Sequence, residues 1–473
     1  MKKDLYINGN WKEAKKYTSL VSPYSGEEIA LVPAADEEEA NQAIEAAYQA
    51  RRTMAKMPSH QRALILEKAA SLLEERAQEA AELIALEAAK PVTTAMGEVQ
   101  RTIQTYKFAA EEAKRIYGET LPLDAAPGGE GRVAYTVLEP IGVIGAITPF
   151  NFPMNLVAHK VGPALAAGNT VVLKPANQTP LSAFFIAQIF AEAGLPAGAL
   201  NVVTGSGSLI GEMIVKDERV SKISFTGSPA VGIGIRNKAG LKRVTLELGS
   251  NAAVIIDKGV NLDKIIPRCV MGAYSFQGQV CISLQRIYVV EELYEEFVAR
   301  FVERAKSLKI GSPLEPSTDI SALINPKDVE RTLSWIDEAV HQGARVALGG
   351  QAEGNVLLPT VLLEADPSQK VSCQEVFAPI VLINKVKDVD EAISLVNDSR
   401  YGLQAGIYTD NIHTALDAAE NLHVGGVLIN DIPTFRVDHM PYGGVKESGV
   451  GREGVRYAIE EMTEKKLVIF NRN

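Results

Sequence analysis

Hydrophobic positions in the first part of the chain recur every three or four residues, a spacing that predicts amphipathic helices. Asp36 opens the first helix with a capping-box pattern that Glu39 completes. A second long helix is expected after Pro58, because apolar positions recur as far as Ile84. A third is expected over about residues 96–117. This part of the chain is therefore predicted to be mainly helical.

From about residue 132 the pattern changes to short apolar runs that alternate with helical segments. Buried five-residue strands separated by helices predict βαβ units and a parallel sheet. The fold class is therefore α/β, with two α/β layers in series and a boundary near 247–252. Strand-like ends at 132–138 and 466–470 fit neither layer, and such segments often pair across subunits. The expected strands are 143–147, 170–173, 200–203, 222–225, 253–256, 286–290, 380–383, 405–408 and 426–429, with helices near 156–167, 180–193 and 208–216.

Composition and charge narrow the functional classes. The 473 residues predict about three domains, or two large ones with an appendage. The net charge of −10, without a basic cluster, argues against nucleic acid or an anionic membrane as partner. Three scattered cysteines without CxxC spacing predict neither a disulfide framework nor a zinc site, so no metal is expected. No signal peptide and no membrane-spanning run are seen, and we expect a cytoplasmic protein.

One cysteine stands in a setting that suits a nucleophile. Cys281 ends the uncharged, glycine-containing stretch 277–281, just ahead of an apolar strand. A thiol can attack a carbonyl there if its pKa is lowered and the resulting oxyanion is stabilised. No His or Lys adjoins it, so a helix N-terminus or a bound cationic cofactor would have to favour the thiolate. The alternative is a small buried hydrophobe, which is how we interpret Cys269 and Cys373.

Two further residues complete a possible catalytic set. Glu247 lies between leucines in a strand-like run, where partial desolvation would raise its pKa and suit it to act as a general base. Asn151, bracketed by aromatic residues and prolines, could donate its amide N–H to an oxyanion. The alternatives are a solvent-facing glutamate and an Asn that satisfies a turn. The three segments together favour covalent catalysis on a carbonyl.

Three strand ends are candidates for binding phosphate or anionic ligands. The stretch 205–211 is similar to the dinucleotide fingerprint, but Ile210 occupies the place of the third glycine, so a simple tight turn is an equal alternative. Thr226, Gly227 and Ser228 end a strand where Pro229 would start a helix, which suits a pyrophosphate. Lys174 would bring an ammonium to the same carboxyl edge, unless it is only a solvated strand-end lysine.

These segments, in this order, resemble the aldehyde dehydrogenase superfamily over essentially the whole chain. The resemblance implies that Cys281 attacks an aldehyde while Asn151 and the Cys281 backbone N–H hold the oxyanion. Hydride would pass to a nicotinamide, and Glu247 would activate water to release the acid from the thioester. The motifs that carry the resemblance are Thr148-Pro-Phe-Asn-Phe-Pro153, Val172-Leu-Lys-Pro175, Phe225-Thr-Gly-Ser228, Leu246-Glu-Leu-Gly249, Gly278-Gln-Val-Cys281, Glu375-Val-Phe-Ala-Pro379 and Pro441-Tyr-Gly-Gly-Val-Lys-Glu-Ser-Gly449.

The resemblance also implies a cofactor, NAD or NADP, and a division into domains. Lys174 and Glu375 would hold the two riboses, Ser228 a phosphate, and Phe377 would lie beside the nicotinamide. The implied fold is a Rossmann-like cofactor domain (1–125 and 141–247), an α/β catalytic domain (248–430) and a small β oligomerisation arm (126–140 and 450–473) that builds a homodimer or homotetramer. The remaining cofactor residues implied are Thr148, Pro149, Phe150, Asn177, Gly207, Gly211, Phe225, Thr226, Gly227 and Leu248.

Two departures from the family pattern bear on specificity. Asn177 stands where NAD-preferring members often carry Glu, which removes a repulsion against a 2′-phosphate, so we predict that NADP is accepted. Ser250 follows Gly249 where the family usually has a second glycine. This resembles the branch containing lactaldehyde, non-phosphorylating glyceraldehyde-3-phosphate and related short-chain aldehyde dehydrogenases. Val280 stands where phosphate-handling relatives tend to place Arg, which disfavours a phosphorylated substrate.

Four residues are candidate contacts to a small aldehyde that bears an anion or a hydroxyl group: Arg101, His159, Arg436 and His439. Structural alternatives are an ion pair for Arg101 and a helix-face histidine for His159. Two other functions stay open. A CoA-acylating enzyme would pass the thioester to CoA rather than water, and the presence of Glu247 favours water. A catalytically silent protein on the same fold need not keep Cys281, Glu247, Asn151 and Lys174.

Overall fold

The computed structural model describes residues 1–472, and helices dominate residues 37–113. The predicted capping box at Asp36 is present. Its carboxylate accepts from the Glu39 backbone N–H at 3.0 Å, and the Glu39 carboxylate accepts from the Asp36 backbone N–H at 2.9 Å. The helices are α1 (Glu37–Lys56), α2 (Ser59–Glu75), α3 (Ala77–Ala88), α4 (Val92–Ala113), α5 (Asn155–Ala167), α6 (Leu181–Ala193), α7 (Glu212–Lys216), α8 (Pro229–Lys238), α9 (Leu262–Tyr274), α10 (Glu291–Lys306), α11 (Pro326–His341), α12 (Lys370–Cys373), α13 (Val389–Asn397), α14 (Ile412–Asn421) and α15 (Val455–Glu461).

Two helix predictions need correction. The helix expected from Pro58 to beyond Ile84 is two helices, because Arg76 leaves the helical conformation (φ −109°, ψ 23°). Its apolar spacing continues across the break since both helices bury residues in the same core. The third helix begins and ends four residues earlier than expected, starting at Val92 directly after Pro91 and ending at Ala113.

The strands, in chain order, form two large sheets and several small ones. They are β1 (Leu5–Ile7), β2 (Asn10–Lys12), β3 (Tyr17–Val21), β4 (Glu28–Pro33), β5 (Thr120–Leu121), β6 (Arg132–Pro140), β7 (Val143–Ile147), β8 (Thr170–Lys174), β9 (Leu200–Val202), β10 (Val220–Thr226), β11 (Arg243–Glu247), β12 (Ala253–Ile256), β13 (Arg286–Val290), β14 (Arg345–Leu348), β15 (Ala352–Glu353), β16 (Val356–Leu357), β17 (Thr360–Leu363), β18 (Ile380–Val386), β19 (Tyr401–Gly402), β20 (Gln404–Tyr408), β21 (Gly426–Ile429), β22 (Val445–Lys446), β23 (Gly449–Val450) and β24 (Thr463–Asn471).

Both large sheets have a parallel centre, as the strand–helix alternation predicted. The first runs β2-β1-β9-β8-β7-β10-β11-β23, with antiparallel strands at both edges. The second runs β14-β17-β18-β13-β12-β20-β21, with β14 antiparallel. The chain passes from one sheet to the other between Glu247 and Ala253. The antiparallel edges were not predicted, because strands of two to four residues carry too little periodicity.

The two strand-like ends that fit neither layer pair with each other. β6 and β24 are antiparallel from Thr463 opposite Pro140 to Asn471 opposite Arg132, and β5 joins them to make a separate three-stranded sheet. Of the C-terminal segment predicted to form the arm, β23 instead joins the first sheet and α15 packs against α4 and α5. Within residues 1–472, no helix has the length and apolar character needed to cross a bilayer.

Candidate active site

The parallel strands of the first sheet end side by side and bring several predicted residues together. Lys174 lies opposite Ile147, and Glu247 lies opposite Thr226. The Thr148 backbone N–H donates to the Lys174 carbonyl at 3.1 Å, which continues the ladder one residue further. Because carboxyl ends of parallel strands meet at one edge, these side chains share a surface. We call residues 148, 174, 226–228 and 247 the strand-end edge.

Cys281 follows α9 on a tightly constrained loop. Phe276, Gln277 and Gly278 all have φ between 47° and 71°, a left-handed conformation that costs free energy for residues other than glycine. The buried Gln277 side chain anchors the loop by donating to the carbonyls of Ala89 and Ala322, each at 2.9 Å. At Gly278 a β-carbon would lie 2.2 Å from the Ala378 carbonyl oxygen, so only glycine fits. The loop is therefore held in one conformation.

Asn151 lies next to this loop and is fixed from two sides. Its Nδ2 donates to the Gln279 carbonyl at 2.9 Å, which leaves the second amide N–H for another acceptor. Its backbone carbonyl accepts from the Lys90 ammonium at 2.6 Å, and Lys90 is paired with Glu98 in a fully buried ion pair. An amide held this rigidly beside a thiol has the properties of an oxyanion donor.

The Cys281 sulfur has one hydrogen-bond partner among residues 1–472, the hydroxyl of Tyr442, at 2.9 Å. Burial raises the pKa of the Cys281 thiol to about 11, against the opposing influence of this hydrogen bond and of the Arg436 charge. The Arg436 guanidinium lies 3.7 Å from the centre of the Tyr442 ring. Arg436 and Tyr442 therefore provide the favourable field that the sequence alone attributed to a helix N-terminus or a cofactor.

Glu247 is buried at the end of β11, and neither carboxylate oxygen has a hydrogen-bond partner within the described chain. Burial, reinforced by the nearby Glu453 carboxylate, raises the pKa of Glu247 well above its ordinary value. Gly443 approaches so closely that a β-carbon there would lie 2.9 Å from Glu247 Oε1. A carboxyl with a raised pKa and no partner is suited to take a proton from water.

The segment of residues 431–442, which we call the late loop, carries a buried carboxylate at Asp438. Arg101 donates to both of its oxygens, at 2.7 and 3.2 Å. Asn155 Nδ2 and His159 Nε2 reach the same carboxylate at 3.0 and 2.8 Å. The hydrogen bond from His159 and the charge of Arg101 hold the pKa of Asp438 far below its usual range. The structural ion pair considered for Arg101 is therefore present.

A second buried carboxylate, Glu453, pairs with two cations. Its Oε1 accepts from Lys160 at 2.8 Å and its Oε2 from Arg436 at 3.1 Å. Lys160 also donates to the Thr226 hydroxyl at 2.7 Å, which joins this cluster to the strand-end edge. Arg436 Nε is buried without a hydrogen-bond partner among the residues described.

Glu375 and Phe377 face the strand-end edge from the second sheet. Glu375 accepts from the Ser250 backbone N–H at 3.0 Å, and burial raises its pKa to about 7. A β-carbon at Gly249 would lie 2.6 Å from its carboxylate, so glycine is needed there. Phe377 has φ 54° and meets the Phe150 ring edge to face at 5.8 Å. Glu375 is thus held against Gly249 and Ser250, and Phe377 against Phe150.

Lys174 lies beside the glycine turn, since a β-carbon at Gly211 would lie 3.9 Å from Lys174 Cδ. Burial lowers the pKa of Lys174 to about 8, and its ammonium contacts only the Pro175 carbonyl, at 3.2 Å, in the described structure. Gly207–Gly211 form a wide π-helical turn. This wider turn accommodates the extra residue that displaces the third glycine of the fingerprint. Asn177 is exposed just beyond Lys174.

The other predicted cofactor residues lie along the same edge. Ser228 precedes Pro229 at the start of α8, and its hydroxyl makes no capping hydrogen bond in the residues described. The Thr148 hydroxyl is buried and equally unpaired within that part of the chain. The other positions are either part of the edge backbone or pack beneath it: Pro149, Phe225, Gly227 and Leu248. These unsatisfied polar groups and glycine contacts fit a dinucleotide lying across the strand ends.

The structure brings Cys281, Glu247 and Asn151 to one place, and Arg101, His159 and Arg436 beside them. His439 does not join the Asp438 cluster in the described structure, because it is exposed and packs against Phe108 at a ring distance of 4.8 Å. Sequence reasoning missed four buried residues that organise the site: Lys160, Asp438, Tyr442 and Glu453. Their pairings span up to 293 positions, and no local spacing signals them.

These features are typical of an α/β enzyme in which a partly buried thiol lies close to strand ends that fit a dinucleotide. Residues 11–468 match the aldehyde dehydrogenase family. The chain is 46% identical over 467 residues to 3-sulfolactaldehyde dehydrogenase of Priestia aryabhattai, covering 99% of this chain and 98% of that protein. The chain belongs to the aldehyde dehydrogenase family.

Solved structures agree with this assignment. Aldehyde dehydrogenase 21 from Physcomitrella patens, in complex with the reaction product succinate, superposes with a TM-score of 0.98 at 39% identity, covering 100% of this chain and 98% of that one. NADP-dependent glyceraldehyde-3-phosphate dehydrogenase from Bacillus halodurans C-125, complexed with NADP, gives a TM-score of 0.97 at 39% identity, with 100% of both chains covered.

Proposed function

We propose that the protein oxidises a small aldehyde bearing an anionic or hydroxyl group, of lactaldehyde, sulfolactaldehyde or semialdehyde type, to the carboxylic acid with NAD or NADP. The observation that carries the substrate class is the charge of the buried cluster beside Cys281. Three cations (Arg101, Lys160, Arg436) pair with the Asp438 and Glu453 carboxylates. One positive charge is left while the third nearby carboxyl group, Glu247, whose pKa is raised well above its ordinary value, keeps its proton. An anionic substrate group would neutralise it.

His159 adds a feature that suits a hydroxyl group. Burial and the neighbouring Arg436 charge lower the pKa of His159, so its ring is neutral at pH 7. Nε2 lies 2.8 Å from the ionised Asp438 carboxylate and 3.2 Å from Arg436 Nη2. We assign the ring proton to Nε2, because the shorter contact is then a hydrogen bond donated to a carboxylate. Nδ1 is then a buried acceptor without a partner in the described chain. A substrate hydroxyl would supply the missing donor.

The residues present support a two-stage reaction. The Cys281 sulfur, having lost its proton, forms a bond to the aldehyde carbon, and the carbonyl oxygen takes the electron pair while Asn151 donates to it. Lys174, Glu375 and Ser228 would hold NAD or NADP, which would supply the hydride acceptor; as the carbon bonded to the Cys281 sulfur loses its hydride, its C=O re-forms and a thioester is left on Cys281. Glu247 then takes a proton from water, the oxygen of that water attacks the Cys281 thioester, and the sulfur leaves as thiolate. An intact Glu247 favours water over CoA as the acceptor.

Oligomerisation, domain boundaries and cytoplasmic setting stay predictions. The three-stranded sheet supports an arm that builds a homodimer or homotetramer, since it exposes Leu467, Ile469 and Phe470 on β24. Leu467 and Ile469 lie on one face of this sheet, and Phe470 lies on the other with Tyr135, their rings 6.1 Å apart. Exposed apolar side chains of this kind are typical of a subunit contact.

The test compares kcat/KM for lactaldehyde, glyceraldehyde, succinate semialdehyde, sulfolactaldehyde and an uncharged alkanal, with each cofactor. We expect the anionic aldehydes to lead, and Arg436→Met to reduce their advantage over the alkanal by about ten- to hundredfold, the value of a charge-assisted hydrogen bond. Arg304→Met removes an exposed charge on α10 and serves as control. An unchanged ratio in Arg436→Met would contradict the proposed substrate class, and acyl-CoA formation on adding CoA would contradict the acceptor.

A further inference from the structure

Tyr442 makes a contact that the proposed reaction does not use. Its side chain is buried, and its hydroxyl lies 2.9 Å from the Cys281 sulfur. This is a hydrogen-bond distance for a sulfur acceptor, and it joins the phenol to the reacting atom itself. We propose that Tyr442 is a catalytic residue: its hydroxyl donates to the Cys281 thiolate and stabilises it, while Arg436 acts through the Tyr442 ring as a positioning residue.

The direction of the hydrogen bond follows from the two acids. Burial raises the pKa of the thiol to about 11, and raises the pKa of the Tyr442 phenol well above its ordinary value of 10.0. The thiol has the lower ordinary pKa, 9.0 against 10.0, and both groups are buried at the same place, so the sulfur ionises first and the phenol keeps its proton. An O–H that donates to an anionic sulfur forms a charge-assisted hydrogen bond, which is stronger than one between neutral groups.

The phenol is held in place before any substrate arrives. The Tyr442 backbone pairs with Glu453 in both directions, at 3.0 and 2.7 Å. The Glu453 carboxylate in turn binds Arg436, which lies over the face of the Tyr442 ring at 3.7 Å. A guanidinium at this distance withdraws electron density from the ring, which makes the O–H a better donor. Because the geometry is fixed by backbone pairing, little entropy is lost when the thiolate forms.

Other charges also face the sulfur, and their effects differ. Arg436 favours the thiolate, whereas the Glu247 and Glu375 carboxylates oppose it. Tyr442 alone among the described residues makes a hydrogen bond to the sulfur. In the proposed step the thiol proton passes to water, the sulfur lone pair forms the C–S bond, and the phenol proton stays on Tyr442 throughout.

The test measures iodoacetamide alkylation of the full-length Tyr442→Phe variant at pH 8, with peptide mass spectrometry to follow each cysteine. Loss of the hydrogen bond should raise the thiol pKa by about one to two units. The rate at Cys281 should then fall by about three- to tenfold, less than the thiolate fraction falls, because a more basic thiolate is more nucleophilic. Half-exposed Cys373 is the internal standard, and its rate should not change.

Two controls distinguish loss of the Tyr442 hydrogen bond from a general disturbance of packing. Cys269 is fully buried, so its protection reports that the variant is folded. Tyr106→Phe removes another buried hydroxyl, one without a partner in the described chain, and should leave the Cys281 rate unchanged. An equal or faster Cys281 rate in folded Tyr442→Phe would overturn the proposal. The inference rests on Cys281 as the nucleophile, but alkylation needs no aldehyde, so its failure is distinguishable from failure of the proposed function.

Discussion

The strand-end edge and the late loop border the same site but are built in opposite ways. At the edge, polar side chains such as Thr148 and Glu247 have no hydrogen-bond partners within residues 1–472, although they are buried. In the late loop, Asp438 is bound by groups from three residues on two helices, and Arg436 by Glu453. The edge therefore keeps groups free for ligands, whereas the loop is stabilised by its own ion pairs before any ligand binds.

The largest effect on stability is expected when the late loop loses the carboxylate of Asp438, which holds its ion pair with Arg101. Asp438→Asn would leave Arg101, whose side chain is 31% exposed, facing a buried neutral amide. Because Arg101 can still contact water, we expect a loss of about 1–3 kcal/mol of unfolding free energy, the value of a charge-assisted hydrogen bond, measurable by urea denaturation. Asp410→Asn, at an exposed position, is the matched control. A variant as stable as the wild type would show that the loop does not depend on this carboxylate.

The ion pair of Asp438 also predicts how the unfolding free energy depends on pH. The pKa of Asp438 is lower in the folded protein than in the unfolded chain, so the unfolded state binds its proton first as the pH falls. Its contribution to stability is therefore complete above the unfolded pKa of about 4 and is lost progressively below it. Asp438→Asn should lose less stability than the wild type between pH 6 and about pH 3.

A smaller effect, on the preference between NADP and NAD, is expected at Asn177, an exposed residue just beyond the strand-end edge. Asn177→Glu would add an exposed carboxylate three residues after Lys174, at the position where the family resemblance implies contact with the adenosine ribose and repulsion of a 2′-phosphate. We expect the ratio of kcat/KM for NADP to that for NAD to fall by about tenfold, with unfolding free energy unchanged. The adjacent exposed Gln178→Glu adds the same charge and should change the ratio less. A wild-type enzyme that strongly favours NAD would already contradict NADP acceptance.

This contrast also explains what could be predicted from the sequence. Lys174, Glu247 and Ser228 each end or follow a short apolar strand, so local pattern brings them to one edge through parallel pairing. Asp438 and Tyr442 could not be found in this way, because they meet His159 and Cys281 only after the late loop packs against α4, α5 and the loop that carries Cys281. The break at Arg76 was missed because helical periodicity continues through it.

The central claim is that oxidation proceeds through a thioester on Cys281, which Glu247 resolves. The most direct measurement is intact and peptide mass spectrometry of Glu247→Gln mixed with lactaldehyde or sulfolactaldehyde and NADP. We predict one equivalent of reduced cofactor, followed by turnover about 10²–10⁴-fold below wild type, and an acyl adduct on the Cys281 peptide. The adduct should be absent from Glu247→Gln/Cys281→Ala. Undiminished turnover without an adduct, or an adduct on another residue, would contradict the account.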